Sequence, residues 1–184
     1  MPADKRVRLA EAADRLVYEQ GFARTTLAEV AGASEVPLGN VYYYFKTKDE
    51  IGATVVRRRA EHYRAVRARW DADLDPRRRL AAFVAMTVEN RASLAEHGCP
   101  IGSLCQELHK QGGPLAEQAS ELLSEWLDWL EAQFRALKKG KESPRLAAHL
   151  LSATQGASLL AHSFGDPRYV VAEAGLLEQW IRAL

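Results

Sequence analysis

The chain has 184 residues, 47% of them hydrophobic, and a formal net charge of +1. That length and apolar content can bury a sizeable core and exclude an intrinsically disordered chain. No run of about 18 apolar residues is present to cross a membrane, and the opening M-P-A-D-K-R-V-R lacks a secretory apolar stretch, so a cytoplasmic protein with no membrane partner is expected.

The near-neutral total hides an asymmetry. Residues 1–70 carry 13 Lys+Arg against 9 Asp+Glu, and residues 71–184 carry 12 against 15. A basic first third with an acidic remainder suits a small DNA reader joined to a regulatory part. Two cysteines, Cys99 and Cys105, are too few for a disulfide framework.

In chain order, the spacing of Val7, Leu9, Ala10, Ala13, Leu16 and Val17 predicts an amphipathic helix over 3–20, with Lys5, Arg6, Arg8 and Arg15 on its polar face. Gly21 stops it and Phe22 turns back as a core anchor. Thr26-x-x-Glu29 is a capping box that opens a second helix, with Leu27, Val30 and Ala31 inside. A third helix spans 37–45. A second box, Thr47-x-x-Glu50, opens a fourth that runs to about Asp71. Ile51, Val55 and Tyr63 mark its apolar side, and Arg57, Arg58, Arg59, Arg64, Arg67 and Arg69 its wet side.

Farther on, Asp75-Pro76, Gly113-Pro114, Ser143-Pro144 and Asp166-Pro167 place proline where a helix begins, since its missing N–H has no intrahelical partner there. Helices are therefore expected over 76–97, 114–137, 144–164 and 167–184. Residues 98–102 read as a loop before a short helix over 103–111. No segment alternates long enough to make a strand. The expected fold is all-α, with about nine helices. A helix-turn-helix domain over 1–46 precedes a larger helical part over 47–184, entered through the fourth helix.

The third helix carries the chemistry. Val41, Tyr44 and Phe45 share one face and should pack inward. The other face presents Gly39, Asn40, Tyr42 and Tyr43. Asparagine suits adenine in the major groove, tyrosine hydroxyls suit phosphates, and glycine permits close approach. Lys46 and Lys48 flank this helix and suit phosphates, as do the backbone N–H groups opening the fourth. The bland reading makes the aromatic run core; it fits Tyr44 and Phe45, and helical geometry argues against it for Tyr42 and Tyr43.

Residues 25–51 resemble the DNA-binding signature of the tetracycline-repressor (TetR) family. Thr25-Thr26, Val30-Ala31, Gly39, Tyr42, Tyr44-Phe45 and Lys48 match that pattern in register. The chain departs from it at Glu35, where the family often has glycine in the turn, and at Pro37, where many members have a serine or threonine cap. The resemblance implies a repressor that binds double-stranded, palindromic operator DNA as a homodimer. It also implies a pocket in the larger part for an unknown small-molecule effector, whose filling moves the fourth helix; no cofactor is expected. DNA contacts are expected from Thr25, Thr26, Leu38, Gly39, Asn40, Tyr42, Tyr43, Lys46 and Lys48.

For the regulatory part, the helices over 144–164 and 167–184 are the expected dimer elements. The first carries Leu146, Leu150, Leu151, Ala153, Ala157, Leu160 and Ala161, with Gly156 and Ser158 for close approach; the second carries Val170, Val171, Leu176, Leu177, Trp180 and Ile181. Effector contacts are expected from Phe83, Met86, Asn90, Trp126, Trp129 and His162, with Phe134 and Gln155 nearby. Cys99 and Cys105 complete that set. Three readings of H-G-C-P-I-G-S-L-C-Q-E-L-H stand open: buried structural cysteines, a thiol sensor at Cys99, or a metal site with His97 and His109 at a non-standard zinc spacing. No metal is expected. An enzyme lacks support, because no phosphate-binding, dinucleotide-binding or nucleophile-elbow motif occurs. A helical interaction adaptor is the alternative, and it leaves the Asn40, Tyr42, Tyr43 face unexplained.

Overall fold

A computed structural model describes residues 2–184, with side chains from Asp4 onward; Met1, where the N-terminal stretch read above begins, lies outside them. The described residues form α1 (Pro2–Gln20), α2 (Leu27–Ser34), α3 (Leu38–Tyr44), α4 (Lys48–Trp70), α5 (Pro76–Glu89), α6 (Arg91–His97), α7 (Pro100–Gln111), α8 (Pro114–Ala136), α9 (Ser143–Phe164) and α10 (Arg168–Ala183). One 3-10 turn, Gly140–Glu142, precedes α9, and no strand occurs among the described residues. None of these helices is long and apolar enough to cross a membrane.

By packing, the chain forms two units. The first comprises Met1–His62 with Ser103–Leu122, the second Tyr63–Gly102 with Leu123–Leu184. The first unit thus runs on past residue 46 through much of α4 and takes in residues of α7 and α8.

In the first unit, Leu9, Ala13, Val17, Phe22, Val30, Val41, Phe45, Ile51 and Val55 are buried together as the spacing predicts. Val7 is half exposed instead. Thr26 forms the full capping box: its hydroxyl accepts from the Glu29 N–H at 3.2 Å, and the Glu29 carboxylate accepts from the Thr26 N–H at 2.8 Å. The hydrogen bonds from Thr26 hold the Glu29 carboxyl below the usual range. The second box closes one residue earlier than expected. Thr47 Oγ1 accepts from the Glu50 N–H, while the Glu50 carboxylate takes the Lys46 N–H at 2.9 Å. Gly52 is where α4 meets its neighbours: a Cβ there would lie 2.6 Å from Leu115 Cδ2 and 2.9 Å from Phe22 Cε2. A Cβ at this position would force the ends of both side chains to shift.

Arg59 and Arg67, both expected on the wet side of α4, are buried. Each continues the four-residue ridge of Ile51, Val55 and Tyr63, and each has a partner. Arg59 Nε donates to Asp14 Oδ1 at 2.8 Å in the first unit. In the second, Arg67 donates to Glu125 and its guanidinium lies 4.9 Å over the Trp126 ring. A buried guanidinium is tolerated when a carboxylate and an aromatic face replace its water.

The second unit is built around an aromatic cluster. Trp126 packs against Phe83 at 5.0 Å, Tyr63 at 5.6 Å, Trp129 at 5.9 Å and Trp70 at 6.0 Å between ring centroids. Burial alone would raise the Glu125 carboxyl, but hydrogen bonds from Arg64 and Arg67 outweigh it and hold it below the usual range.

The helix expected over 76–97 breaks at Asn90, giving ten α-helices among the described residues rather than nine. The Asn90 side chain donates to the Met86 carbonyl at 2.8 Å, competing with the helical ladder. α7 begins at Pro100, three residues earlier than expected, with proline in its first turn.

Candidate nucleic-acid interface

The residues that join α2 to α3 are Glu35, Val36 and Pro37. Glu35 closes α2 in the left-handed region, φ 54° and ψ 33°, and its N–H reaches the Ala31 and Gly32 carbonyls. Val36 is buried and its N–H bonds Ala31 O at 3.1 Å. Pro37 opens α3 with φ −52° and no side-chain cap, and its carbonyl accepts the Asn40 N–H at 2.8 Å. The two departures from the family pattern therefore build a tight turn. Glu35 adopts the backbone conformation that glycine favours, and Arg8 from α1 donates to the Ser34 carbonyl and the Glu35 carboxylate.

That turn fixes which face α3 shows. Val41 and Phe45 are buried, anchoring it. Tyr44, expected in the core, is only half-buried, with its ring edge-on to Tyr43 at 5.0 Å. Leu38, Gly39, Asn40, Tyr42 and Tyr43 are all exposed, Tyr43 at 79% and Tyr42 at 52%. No atom lies within 4 Å of where a Gly39 Cβ would be. Nothing inside the protein requires glycine there, although in a helix it costs about 1 kcal/mol relative to alanine. Lys46 is exposed just beyond the end of α3.

Three of the expected contact residues form bonds within the protein. Thr25 is buried, and its hydroxyl donates to Gly21 O at 2.8 Å, closing the turn after α1. It does not reach the outer face. Thr26 remains exposed, but its hydroxyl belongs to the capping box. Lys48 is half-buried: its Nζ donates to Ala23 O at 2.7 Å and sits 4.8 Å from the Phe22 ring centroid.

The helices that carry this face fall within a match to known proteins. The profile described as "Bacterial regulatory proteins, tetR family" matches residues 9–53, and "Tetracyclin repressor-like, C-terminal domain" matches residues 76–173, more than half of the chain. The chain belongs to the TetR family of bacterial regulators. It is similar to the HTH-type transcriptional repressor DhaR of Mycobacterium sp. (strain GP1), 28% identical over 84% of this chain and 80% of DhaR. It is also similar to the HTH-type transcriptional regulator LmrA of Bacillus subtilis, 27% identical over 86% of each chain. A TetR-family regulator from Agrobacterium tumefaciens shares the fold at a TM-score of 0.86, with 20% identity over 97% of this chain and 98% of that one. As a TetR-family regulator, the protein is a DNA-binding transcription factor, in a family of regulators rather than enzymes.

The residues expected around an effector divide in two. Phe83 and Trp126 are buried in the aromatic cluster, and Met86 and Trp129 are half-buried. Trp129 Nε1 donates to Asp71 Oδ1 at 3.0 Å. Asn90 and His162 are exposed; Asn90 is bound to its own helix, and His162 Nδ1 lies 3.3 Å from Ala95 O. Tyr63, Trp70 and Arg67 join the cluster although sequence reasoning left them out. Their spacing of four and then three residues along α4 puts them on one face of the helix. Cys105 is buried and its thiol donates to Ala119 O at 3.0 Å, a structural role. Cys99 is half-buried against Leu94, Ala95, Ala161 and Val170, and its sulfur accepts the Gly102 N–H at 3.3 Å. Among the described residues no group of three or more His, Cys, Asp or Glu could hold a metal ion.

Helices α9 and α10 sort the expected dimer residues by face. Leu150, Leu151, Ala157, Ala161, Val170, Leu177 and Ile181 are buried within the chain. Ser158 is buried too, donating to Thr154 O at 2.8 Å, so it supplies no outer close approach. The outer face carries Leu159, Leu160, Phe164, Tyr169, Val171 and Leu176 in the open, with empty space beside Gly156 and Gly175.

Proposed function

We propose that this regulator is a repressor that binds a palindromic operator as a homodimer in the cytoplasm and is released by a small-molecule effector. The observation that carries DNA reading is the outer face of α3. Asn40, Tyr42 and Tyr43 stand exposed beside an unobstructed Gly39 while Val41 and Phe45 hold the helix from within. Asn40 reads a base edge, the tyrosines engage phosphates and thymine methyls, and Lys46 adds a phosphate contact. The exposed apolar strip of α9 and α10 supports two-fold pairing, which supplies the affinity that one short recognition helix lacks. The aromatic cluster around Trp126 supports an apolar or aromatic effector, bound beside Phe83, Met86 and Trp129.

Sequencing the genomic fragments that the protein retains tests the reading. Enrichment of an inverted repeat is expected, and retention without sequence preference would overturn it. Sedimentation of the wild type and Leu159→Glu tests pairing, since a charge on that strip should yield monomers.

Cys99 supports a second mode of release. Its sulfur accepts the Gly102 N–H in the first turn of α7 and is only half-buried, so a small reagent can reach it. Wild-type protein should leave operator DNA on treatment with an electrophile and Cys99→Ser should stay bound. Equal release of both would remove Cys99 from the response.

A further inference from the structure

We infer that Glu107 is a positioning residue for operator recognition: from α7 it holds the turn that sets α1 against α2 in the geometry the operator requires. This inference rests on the DNA-binding reading of the N-terminal helices.

The turn after α1 leaves the N–H groups of Phe22 and Ala23 beyond the helical ladder. The Glu107 carboxylate takes both, Oε2 accepting from Phe22 at 2.8 Å and Oε1 from Ala23 at 2.5 Å. Two parallel bonds to one carboxylate fix position and orientation together. Gly21 makes room for the carboxylate. Its φ is +88°, and a Cβ there would meet Glu107 Oε2 at 3.2 Å. From the other side, Lys48 in the first turn of α4 donates to the Ala23 carbonyl at 2.7 Å. Ala23 is thus gripped at its N–H by α7 and at its C=O by α4, three residues before the capping box that opens α2.

The grip governs geometry more than folding. Ala23 is exposed and Glu107 is half-buried, so water replaces a lost bond at modest cost to the fold. The buried anchors Phe22, Val30 and Val41 keep the helices packed. Their orientation is then less restrained, and two reading helices must fit successive grooves at a fixed spacing.

The test compares full-length wild type, Glu107→Gln and Glu107→Ala. Each is titrated with the duplex that wild type selects from a randomised pool and with mixed-sequence duplex of equal length. Glu107→Gln keeps one acceptor oxygen and should lose about tenfold in affinity for the selected duplex, and Glu107→Ala more. Affinity for mixed sequence, the slope against salt, the oligomeric state and Tm should stay at wild-type values. Wild-type affinity of both variants for the selected duplex overturns the inference, as does an equal loss on both duplexes with a lowered Tm. A wild type that selects no duplex instead overturns the DNA-binding reading, and this inference with it.

Discussion

The Arg8 guanidinium reaches from α1 to the Glu35 carboxylate at 3.2 Å, tying the first helix to the turn before the recognition helix. Glu35 sits in the left-handed region without being glycine, and its carboxylate is largely exposed. An exposed ion pair contributes little, whereas a side chain at positive φ costs about 1 kcal/mol or more. Glu35→Gly should therefore stabilise the protein by about 0.5–1 kcal/mol in urea unfolding. A lower midpoint would show that the Arg8 contact matters more than the backbone strain.

The two faces of α3 should separate by mutation. Tyr43→Ala and Asn40→Ala should weaken operator binding and leave Tm within a degree or two, because both side chains are exposed. Phe45→Ala, at a buried anchor, should cost about 3–5 kcal/mol of stability. Thermal melts beside mobility-shift titrations check the split. Loss of stability in Tyr43→Ala would move that ring into the core.

Lys46 and Lys48 should differ in salt dependence. Lys46→Ala should flatten the plot of log affinity against log salt by about 0.9 for each phosphate contact removed. Lys48→Ala should weaken binding with the slope unchanged, because the free protein uses Lys48 Nζ to hold Ala23 O. A flattened slope in Lys48→Ala would mean that the ammonium leaves Ala23 for a phosphate on binding.

Glu125 gives the second unit an acid limit. Its folded carboxyl titrates below its ordinary value because Arg64 and Arg67 outweigh the effect of burial. The unfolded chain thus binds the proton more readily. The stabilisation is complete above the ordinary carboxylate range and disappears as pH falls through the lowered folded value. Glu125→Gln should lower stability at neutral pH and lessen its fall between about pH 5 and pH 3. Parallel pH profiles of wild type and variant would remove Glu125 from acid unfolding.

The helices and the outward face of α3 were legible in the sequence because both follow from local rules. Proline after Asp75 or within residues 143–144 marks a helix start wherever the helix packs, and the spacing of Val41 and Phe45 assigns the opposite face of α3 to the exterior. Three things depended on partners distant in sequence. Thr25 is buried because its hydroxyl closes on Gly21 O, a geometry its place beside Thr26 does not reveal. Arg59 and Arg67 are inside because Asp14 and Glu125 wait there. Glu107 meets Phe22 across 85 positions, which no short pattern encodes. Periodicity found the strong apolar residues of α9 and α10 but could not say which face stays within the chain.

If the outer strip of α9 and α10 pairs two chains as proposed, stability becomes a property of the solution as well as of the chain. Leu159, Phe164 and Leu176 are exposed in the single protomer, and on the proposed pairing they would be covered, so that pairing would add to folding by mass action. Melting temperature should climb with protein concentration and level off once nearly all chains are paired. A cell holding only a few copies would then operate near the foot of that curve, where the supply of partners limits both survival of the fold and occupancy of the operator.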